Sequence, residues 1–166
     1  MSFKVRLIVQ RCLEAKILVD NVSEYEAIGE GVVIFIAFLK GADKGQMSGA
    51  DKSAALRATV ERLLASNALH AGPRSSERES TSEHQNILVI PQAAMGGKLK
   101  GKSVQFHANV AKDEAKALYD EFVDLLKEEA AKNEKFKHGK VVNGVYANRQ
   151  GFQMISDGPN TYFLEF

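Results

Sequence analysis

The chain has a single cysteine, Cys12, which excludes an intramolecular disulfide and any cysteine-rich zinc site. Its four histidines lie far apart in sequence, so no pair has the spacing of metal ligands. Neither sign of charge is in excess, because 22 lysines and arginines face 21 aspartates and glutamates. We therefore expect no metal, no strongly basic nucleic-acid coat and no acidic disordered chain, and any nucleic-acid surface must be a local patch.

Several other features are missing. Residues 1–11 place charges among apolar side chains, which is typical of neither a signal peptide nor a membrane span, and no other stretch approaches spanning length. The sequence has no Walker A pattern, no G-x-G-x-x-G after a strand and no serine in a nucleophile elbow. These absences predict a cytoplasmic protein with no membrane contact and no cofactor. They also give little support to conventional side-chain catalysis.

Strand patterns dominate the N-terminal part of the chain. Alternating apolar and polar residues predict a strand over Phe3–Gln10 with one buried face, and a second strand is predicted over Ala15–Asp20. The run Val32–Leu39 is apolar on both faces, as expected of a central strand. At 166 residues the chain is too short for two comfortable domains, so we expect one domain over residues 1–166.

Two helices and a polar loop are predicted in the rest of the chain. Ser48–Asp51 has the pattern of a capping box before an amphipathic helix, and a longer helix is predicted over about Asp113–Lys132. Residues 73–86 carry no aliphatic or aromatic side chain, which indicates a mobile surface loop over about 71–86. The order of elements predicts an α/β fold in which mixed β-sheets pack with two main helices.

The chain leaves predicted strands through unusual backbone at two places, Pro91–Met95 and Ser156–Thr161. Proline cannot donate to a sheet ladder, and glycine weakens a strand. Strand ends of this kind can present main-chain N–H and C=O groups to a ligand, so a site could work with few reactive side chains. The simpler alternative is that both stretches are turns without a function of their own.

Five stretches, taken in order along nearly the whole chain, resemble the D-aminoacyl-tRNA deacylase family: "LIVQRCLEAKILVD", "IGEGVVIFIAFLKGAD", "ILVIPQAAM", "ALYDEFVDLL" and "SDGPNTYFLEF". The resemblance implies a deacylase-like domain and a homodimeric hydrolase that clears wrongly attached amino acids from tRNA. In that family a Gly-Pro pair joined by a cis peptide bond enters the active site of the other subunit, where its carbonyl groups check the α-carbon. The resemblance implies this role for Gly158 and Pro159.

The second motif departs from the family pattern. Most members carry Ser-Gln-Phe-Thr-Leu where this chain has Pro91–Met95, so the threonine once proposed as a nucleophile is Ala94. The stretch is similar to the Pro-Gln-Ala-Thr-Leu of a sister branch, the animal-type tRNA deacylase, which removes L-alanine from a threonine tRNA and has a trans Gly-Pro. Asn160 also departs from the usual valine or phenylalanine. D-Aminoacyl-tRNA is the expected substrate, with glycyl- and L-alanyl-tRNA and the Gly-Pro isomer left open.

The candidate site residues form three groups. They are the backbone of Gln92, Ala93, Ala94 and Met95 for catalysis; Gly158, Pro159, Thr161, Arg11 and Phe106 for substrate binding; and Lys98, Lys100 and Lys102 for the phosphates of tRNA. The attacking water would be activated by the 2′-hydroxyl of the terminal adenosine of the substrate.

Alternatives stay open for each group. The lysines fit a solvated loop equally well, Arg11 fits a surface salt bridge, and Phe106 fits the core. For the whole protein, the second hypothesis is a non-catalytic nucleic-acid-binding protein on the same scaffold, because Ala94 lacks a hydroxyl. A hydrolase of small esters or amides unrelated to RNA is a third.

Overall fold

The computed structural model describes residues 3–42, 47–69 and 85–166, without the side chain of residue 157. In chain order these residues form β1 (Phe3–Leu18), β2 (Tyr25–Ile28), β3 (Gly31–Lys40), α1 (Gly49–Ala65), a 3-10 turn (Asn67–Leu69), β4 (Asn86–Pro91), a second 3-10 turn (Ala93–Gly96), β5 (Lys98–Lys100), β6 (Ser103–Gln105), α2 (Lys112–Lys132), β7 (Val141–Asn143) and β8 (Phe152–Glu165). The loop predicted at about 71–86 lies outside the described residues up to position 84, and Asn86 already belongs to β4.

A mixed sheet organises the fold. Its order is β2-β1-β3-β4-β7, and β8 pairs with β1 as well. β1 is antiparallel to β2, β3 and β8, whereas the pairs β3–β4 and β4–β7 are parallel. β5 and β6 form a separate two-stranded hairpin. The predicted α/β architecture and the central position of the apolar strand β3 are confirmed.

The prediction of separate strands over Phe3–Gln10 and Ala15–Asp20 is wrong, because β1 runs without a break from Phe3 to Leu18 and includes Ala15–Leu18. The pairing of β1 with β8 shifts register between Gln10 and Glu14. A bulge of this kind lets a strand change the face on which its apolar residues lie without ending the strand. The sequence analysis also missed the short strand β2, whose residues are mostly polar or exposed.

Helices α1 and α2 cover one face of the sheet, and both were predicted. Ser48 Oγ accepts a hydrogen bond from Asp51 N at 3.1 Å, as the capping pattern implies. The core of this face contains Phe3, Val5, Leu7, Val9, Val32, Ile34, Ile36, Phe38, Leu56, Val60, Leu63, Ile87, Val89, Tyr119, Phe122 and Leu126. The buried Tyr119 hydroxyl donates to Gly144 O at 2.6 Å, so α2 fixes the chain just after β7.

The opposite face of the sheet is less covered. Its buried cluster is smaller and comprises Cys12, Ala15, Ile17, Ile28, Val33, Leu88, Ile90 and Val142. β8 pairs with β1 and leaves large apolar side chains at the surface, since Ile155 and Phe163 are 51% and 61% exposed.

None of the helices in the described ranges combines the length and the apolar character needed to cross a membrane. Within the same ranges, histidine, cysteine, aspartate and glutamate side chains do not gather in groups of three that could hold a metal ion.

Candidate active site

The chain bends sharply where β4 ends, and we call residues 92–96 the β4 turn. Gln92 N donates to Ile36 O at 2.8 Å, which is the last link to β3. A 3-10 turn over Ala93–Gly96 follows, in which Met95 N donates to Gln92 O at 3.1 Å. Pro91 pairs with Ile36 in the ladder and has no N–H of its own to donate.

Two side chains from other parts of the sequence hold carbonyl groups of the β4 turn. Asn109 Nδ2 donates to Ala93 O at 2.9 Å, and Arg6 Nη1 donates to Met95 O at 2.7 Å. Arg6 is itself fixed by Glu165, at 2.6 Å, and its guanidinium lies 5.5 Å from the centre of the Phe163 ring. The sequence analysis missed Asn109 and Arg6, because no local pattern relates either residue to the turn.

The predicted catalytic backbone groups are not equivalent in the structure. The N–H groups of Gln92 and Met95 donate to carbonyls of the protein. Ala93 and Ala94 begin the 3-10 turn, where N–H groups have no acceptor within the turn. The Ala94 side chain is a methyl group and supplies no nucleophile.

A cleft of about 450 Å³ opens beside the β4 turn. The residues that line it include Gln92, Ala93, Asn109, Tyr146 and Gln150. Burial raises the pKa of the Tyr146 hydroxyl, so this group stays protonated at neutral pH. The cleft therefore offers amide and hydroxyl groups and the Lys112 ammonium group, and the described residues that line it include no carboxylate and no thiol.

A much smaller cavity, of about 20 Å³, lies next to this cleft between Ala93, Ala115, Asn109 and Phe38. This volume is close to the space that one water molecule occupies.

Phe106 and the three candidate lysines lie immediately beyond the turn. A Cβ atom built at Gly97 would lie 3.0 Å from Phe106 Cε1, so the ring packs close to the chain that leaves the turn. Phe106 is 46% exposed, which argues against the core position that was its alternative. Lys98, Lys100 and Lys102 are exposed on the β5–β6 hairpin.

The second unusual backbone stretch interrupts the pairing of β8 with β1. Thr161 is paired with Gln10 and Ser156 with Cys12, so the four residues between them face only Arg11. We call residues 157–160 the Gly-Pro segment. Gly158 has a φ of +64°, and Gly158 and Pro159 are exposed. A Cβ atom at Gly158 would lie 3.8 Å from Arg11 Nη2, so the structure brings these two predicted residues together.

The peptide bond before Pro159 is trans, since the described residues contain no cis peptide bond. The sequence alone left open whether this bond is cis or trans, and the structure of the single chain has the trans form.

The Gly-Pro segment and the β4 turn do not meet within one chain. β8 and β4 are separated by β1 and β3, which is about 14 Å at the usual spacing of strands. Ile36 at the β4 turn pairs with Leu7, four residues from Arg11, which adds about 13 Å along the strand. The two groups of candidate residues are thus about 20 Å apart.

Cys12 lies at the base of the Gly-Pro segment and is fully buried. Burial raises the pKa of the Cys12 thiol to about 11, so the thiolate that nucleophilic chemistry needs does not form near neutral pH.

Comparison with known proteins identifies relatives along almost the whole chain. Residues 8–165 match the family described as D-Tyr-tRNA(Tyr) deacylase. The chain is 34% identical over 171 residues to D-aminoacyl-tRNA deacylase 2 of Homo sapiens, covering 98% of this chain and 95% of the relative. It is 29% identical to a D-aminoacyl-tRNA deacylase of Geobacter sulfurreducens, covering 97% and 95%.

Solved structures give the same result. The fold matches a structure described as a probable eukaryotic D-amino acid tRNA deacylase with a TM-score of 0.78 and 32% identity, over 98% of this chain and 100% of that one. A c-Myc DNA unwinding element binding protein matches with a TM-score of 0.65 at 20% identity, covering 96% and 97%, which shows a shared fold.

Proposed function

We propose, from the premise that this chain belongs to the D-aminoacyl-tRNA deacylase family, that the β4 turn is its catalytic site and that a second copy of the chain completes that site. The family gives the reaction, which is hydrolysis of the ester that links an amino acid to tRNA. The observation that carries the assignment is the family match over residues 8–165, which includes the β4 turn and the Gly-Pro segment. We place this editing of misacylated tRNA in the cytoplasm.

Catalysis rests on the backbone of the β4 turn. Ester hydrolysis passes through a tetrahedral intermediate whose oxygen carries negative charge, and fixed N–H groups stabilise that charge. Gln92 N and Met95 N already have acceptors within the protein. The role therefore falls to the N–H groups of Ala93 and Ala94, and one such donor contributes about 2.7–4 kcal/mol in other enzymes.

The attacking group is a water molecule activated by the substrate. Neither Ala94 nor the protonated Cys12 thiol supplies a nucleophile. When the amino acid is esterified at the 3′ position, the free 2′-hydroxyl of the terminal adenosine lies next to the ester and orients the water, while the protein fixes the geometry.

A tRNA that ends in 2′-deoxyadenosine and is charged at the 3′ position tests this step. We expect the rate of amino-acid release to fall at least tenfold, with little change in binding measured by competition. An undiminished rate with the deoxy substrate is incompatible with activation by the 2′-hydroxyl.

A homodimer would bring the Gly-Pro segment of one subunit to the β4 turn of the other. Three observations support this arrangement. The segment lies about 20 Å from the β4 turn of its own chain, Gly158 and Pro159 are exposed, and the large apolar side chains of Ile155 and Phe163 on the same strand are exposed as well. In this arrangement Gly158, Pro159 and Thr161 contact the amino acid, and Arg11 holds the segment.

The tRNA binds along the β5–β6 hairpin. Lys98, Lys100 and Lys102 are exposed directly beyond the β4 turn, where the acceptor end must pass to place its ester at Ala93 and Ala94. Phosphate contacts of this kind position a nucleic acid without reading its sequence. Phe106, half-exposed beside Gly97, is placed to pack on the terminal adenosine.

Glycyl- and L-alanyl-tRNA extend the substrate range beyond D-aminoacyl-tRNA. The trans Gly-Pro bond and the Pro91–Met95 sequence agree with the sister branch that acts on L-alanine. A synthetase separates such small amino acids by only about 1–3 kcal/mol per methylene, so their errors need a second check.

Purified protein incubated with D-Tyr-tRNA, Gly-tRNA and L-Ala-tRNA(Thr) tests the substrate range. We expect release of D-tyrosine and also of glycine or L-alanine. Release of D-tyrosine alone removes the extension to small amino acids. Release of none of the three favours the non-catalytic nucleic-acid-binding alternative, and equal cleavage of small esters without tRNA favours the unrelated hydrolase.

A further inference from the structure

We infer that Asn109 is a positioning residue that fixes the direction of the Ala94 N–H, an inference that rests on the catalytic role proposed above for that amide. Asn109 does not touch the reacting ester in this scheme. It acts through the peptide unit between Ala93 and Ala94, whose carbonyl oxygen accepts the 2.9 Å hydrogen bond from Asn109 Nδ2.

The planar geometry of the peptide unit makes the direction of its C=O bond determine the direction of its N–H bond. The atoms of a peptide group lie in one plane, and in a trans peptide the C=O and N–H bonds point in opposite directions. The Ala93–Ala94 bond is trans. Because Asn109 holds the oxygen of Ala93, the N–H of Ala94 must point away from Asn109, and rotation of this peptide unit would break the hydrogen bond.

Asn109 can serve as an anchor because its own backbone is fixed. Asn109 N donates to Phe106 O at 3.0 Å, and the residue forms an isolated bridge with Leu39 at the end of β3. The neighbouring bonds Lys40 N to Ala108 O, at 2.7 Å, and Val110 N to Phe38 O, at 3.2 Å, tie both flanks to the same strand. The central sheet thus provides the rigid support that a positioned amide requires.

The rest of the Asn109 amide also points to a function beyond packing. The carbonyl oxygen of Ala93 can accept a hydrogen bond only from the Nδ2 group of Asn109. Oδ1 of the same side chain therefore faces away from Ala93. That oxygen is buried and has no hydrogen-bond partner among the described residues. Gly96 leaves room for it, since a Cβ atom at Gly96 would lie 1.7 Å from Oδ1. An amide with an unpaired oxygen is a costly choice for filling space, and its nitrogen contact with Ala93 explains it.

The decisive variant is Asn109→Asp, which keeps the size of the side chain and removes the donor. We expect kcat to fall about 10- to 100-fold with KM within about twofold of wild type, because a misaimed donor weakens only the transition state. The loss should shrink as pH is lowered, since a protonated carboxyl can donate to Ala93 O again. These readouts separate positioning from a general loss of stability.

Asn86→Asp is the matched control. Asn86 Nδ2 donates to Glu30 O at 2.8 Å, a bond of the same kind at the start of β4, far from the turn. This variant should lower the melting temperature and leave kcat within about twofold of wild type. The inference is overturned if Asn109→Asp also keeps kcat within twofold of wild type, whether or not its KM changes.

A readout that does not depend on activity separates this inference from the proposed function. In ¹H–¹⁵N spectra the amide resonance of Ala94 should move in Asn109→Asp and stay in place in Asn86→Asp. An Ala94 resonance unchanged in both variants overturns the inference. Wild-type protein that is inactive on all three aminoacyl-tRNAs overturns the proposed function, whatever the spectra show.

Discussion

The β4 turn and the Gly-Pro segment both carry the chain past a proline, yet they are built in opposite ways. The β4 turn is held by Gln92 N on Ile36 O, by Asn109 on Ala93 O and by Arg6 on Met95 O. The Gly-Pro segment lies opposite Arg11 in a gap of the β1–β8 ladder, and its glycine and proline are exposed.

This contrast separates two requirements of the proposed chemistry. An oxyanion site needs donors that do not move during the reaction, and the hydrogen bonds around the β4 turn meet that need. An element that another subunit must receive has to project from its own chain, and an unpaired, exposed segment does so. The same protein therefore places its rigid half-site and its projecting half-site on different strands.

The largest effect is expected from Gly96→Ala, which changes the β4 turn, the rigid half-site. The new Cβ would lie 1.7 Å from Asn109 Oδ1 and 2.6 Å from Leu39 Cδ2, so the turn and Asn109 must separate. We expect kcat to fall more than about 100-fold and the free energy of unfolding to drop by about 1–3 kcal/mol. Single-turnover deacylation and urea unfolding measure the two losses.

Gly49→Ala provides the comparison for Gly96→Ala. Gly49 begins α1, and a Cβ atom there would have no neighbour within 4 Å among the described residues. This variant should be active and at least as stable as wild type, because alanine favours a helix. A Gly96→Ala protein as active as Gly49→Ala would show that the β4 turn does not need its observed geometry.

Gly158→Val changes the Gly-Pro segment, the projecting half-site, and should give the next largest loss of activity. Gly158 has a φ of +64°, a conformation that strains a β-branched residue and would redirect the exposed segment. We expect kcat to fall about 100-fold, as for other small misplacements at active sites, with a smaller loss of stability than in Gly96→Ala.

Mixed dimers test whether the β4 turn of one subunit works with the Gly-Pro segment of the other. Gly96→Ala and Gly158→Val subunits, each inactive alone, should regain about one quarter of wild-type activity after co-refolding, because half of the dimers are mixed and each has one intact site. Absence of recovery, with mixed dimers demonstrated by mass spectrometry, would place both halves in the same subunit and contradict the proposal.

A smaller effect on activity is expected from changes in the β5–β6 hairpin, which follows the β4 turn in the chain. Replacing Lys98, Lys100 and Lys102 by glutamine should raise KM for tRNA about tenfold and leave kcat unchanged. The slope of log(kcat/KM) against log salt should flatten by about 2 to 3, since each lost phosphate contact contributes about 0.7–0.9. A triple variant on α2, at Lys116, Lys127 and Lys132, removes the same charge and should change neither quantity.

Local sequence patterns predicted the parts of the fold that local physics determines. Ser48 was recognised as a helix cap and the apolar run of β3 as a central strand, because each signal lies within a few residues. The continuity of β1 was missed, since its bulge is set by pairing with β8, some 140 residues later in the chain.

The candidate site divides in the same way. The resemblance pointed to residues 92–95 and to Gly158 and Pro159 from short motifs. Asn109 carries no signal in its own neighbourhood, because its partner Ala93 is 16 residues away and contributes only a main-chain oxygen. The separation of about 20 Å between the two half-sites was equally hidden, because it depends on the order of strands in the sheet.

The last expected effect appears only above pH 9 and concerns Cys12, the buried residue at the base of the Gly-Pro segment. Burial raises the pKa of its thiol from 9.0 to about 11. The folded protein therefore keeps a proton that the unfolded chain loses above pH 9, and this contribution to stability is present below pH 9 and disappears as pH rises toward 11. By pH 10.5 it should have weakened by about 2 kcal/mol relative to Cys12→Ala. Urea unfolding of both proteins at pH 8 and pH 10.5 measures this difference, in which the titration of all other groups cancels. A stability difference that does not change between the two pH values would mean that water reaches the thiol, and that the projecting half of the site is open down to the sheet.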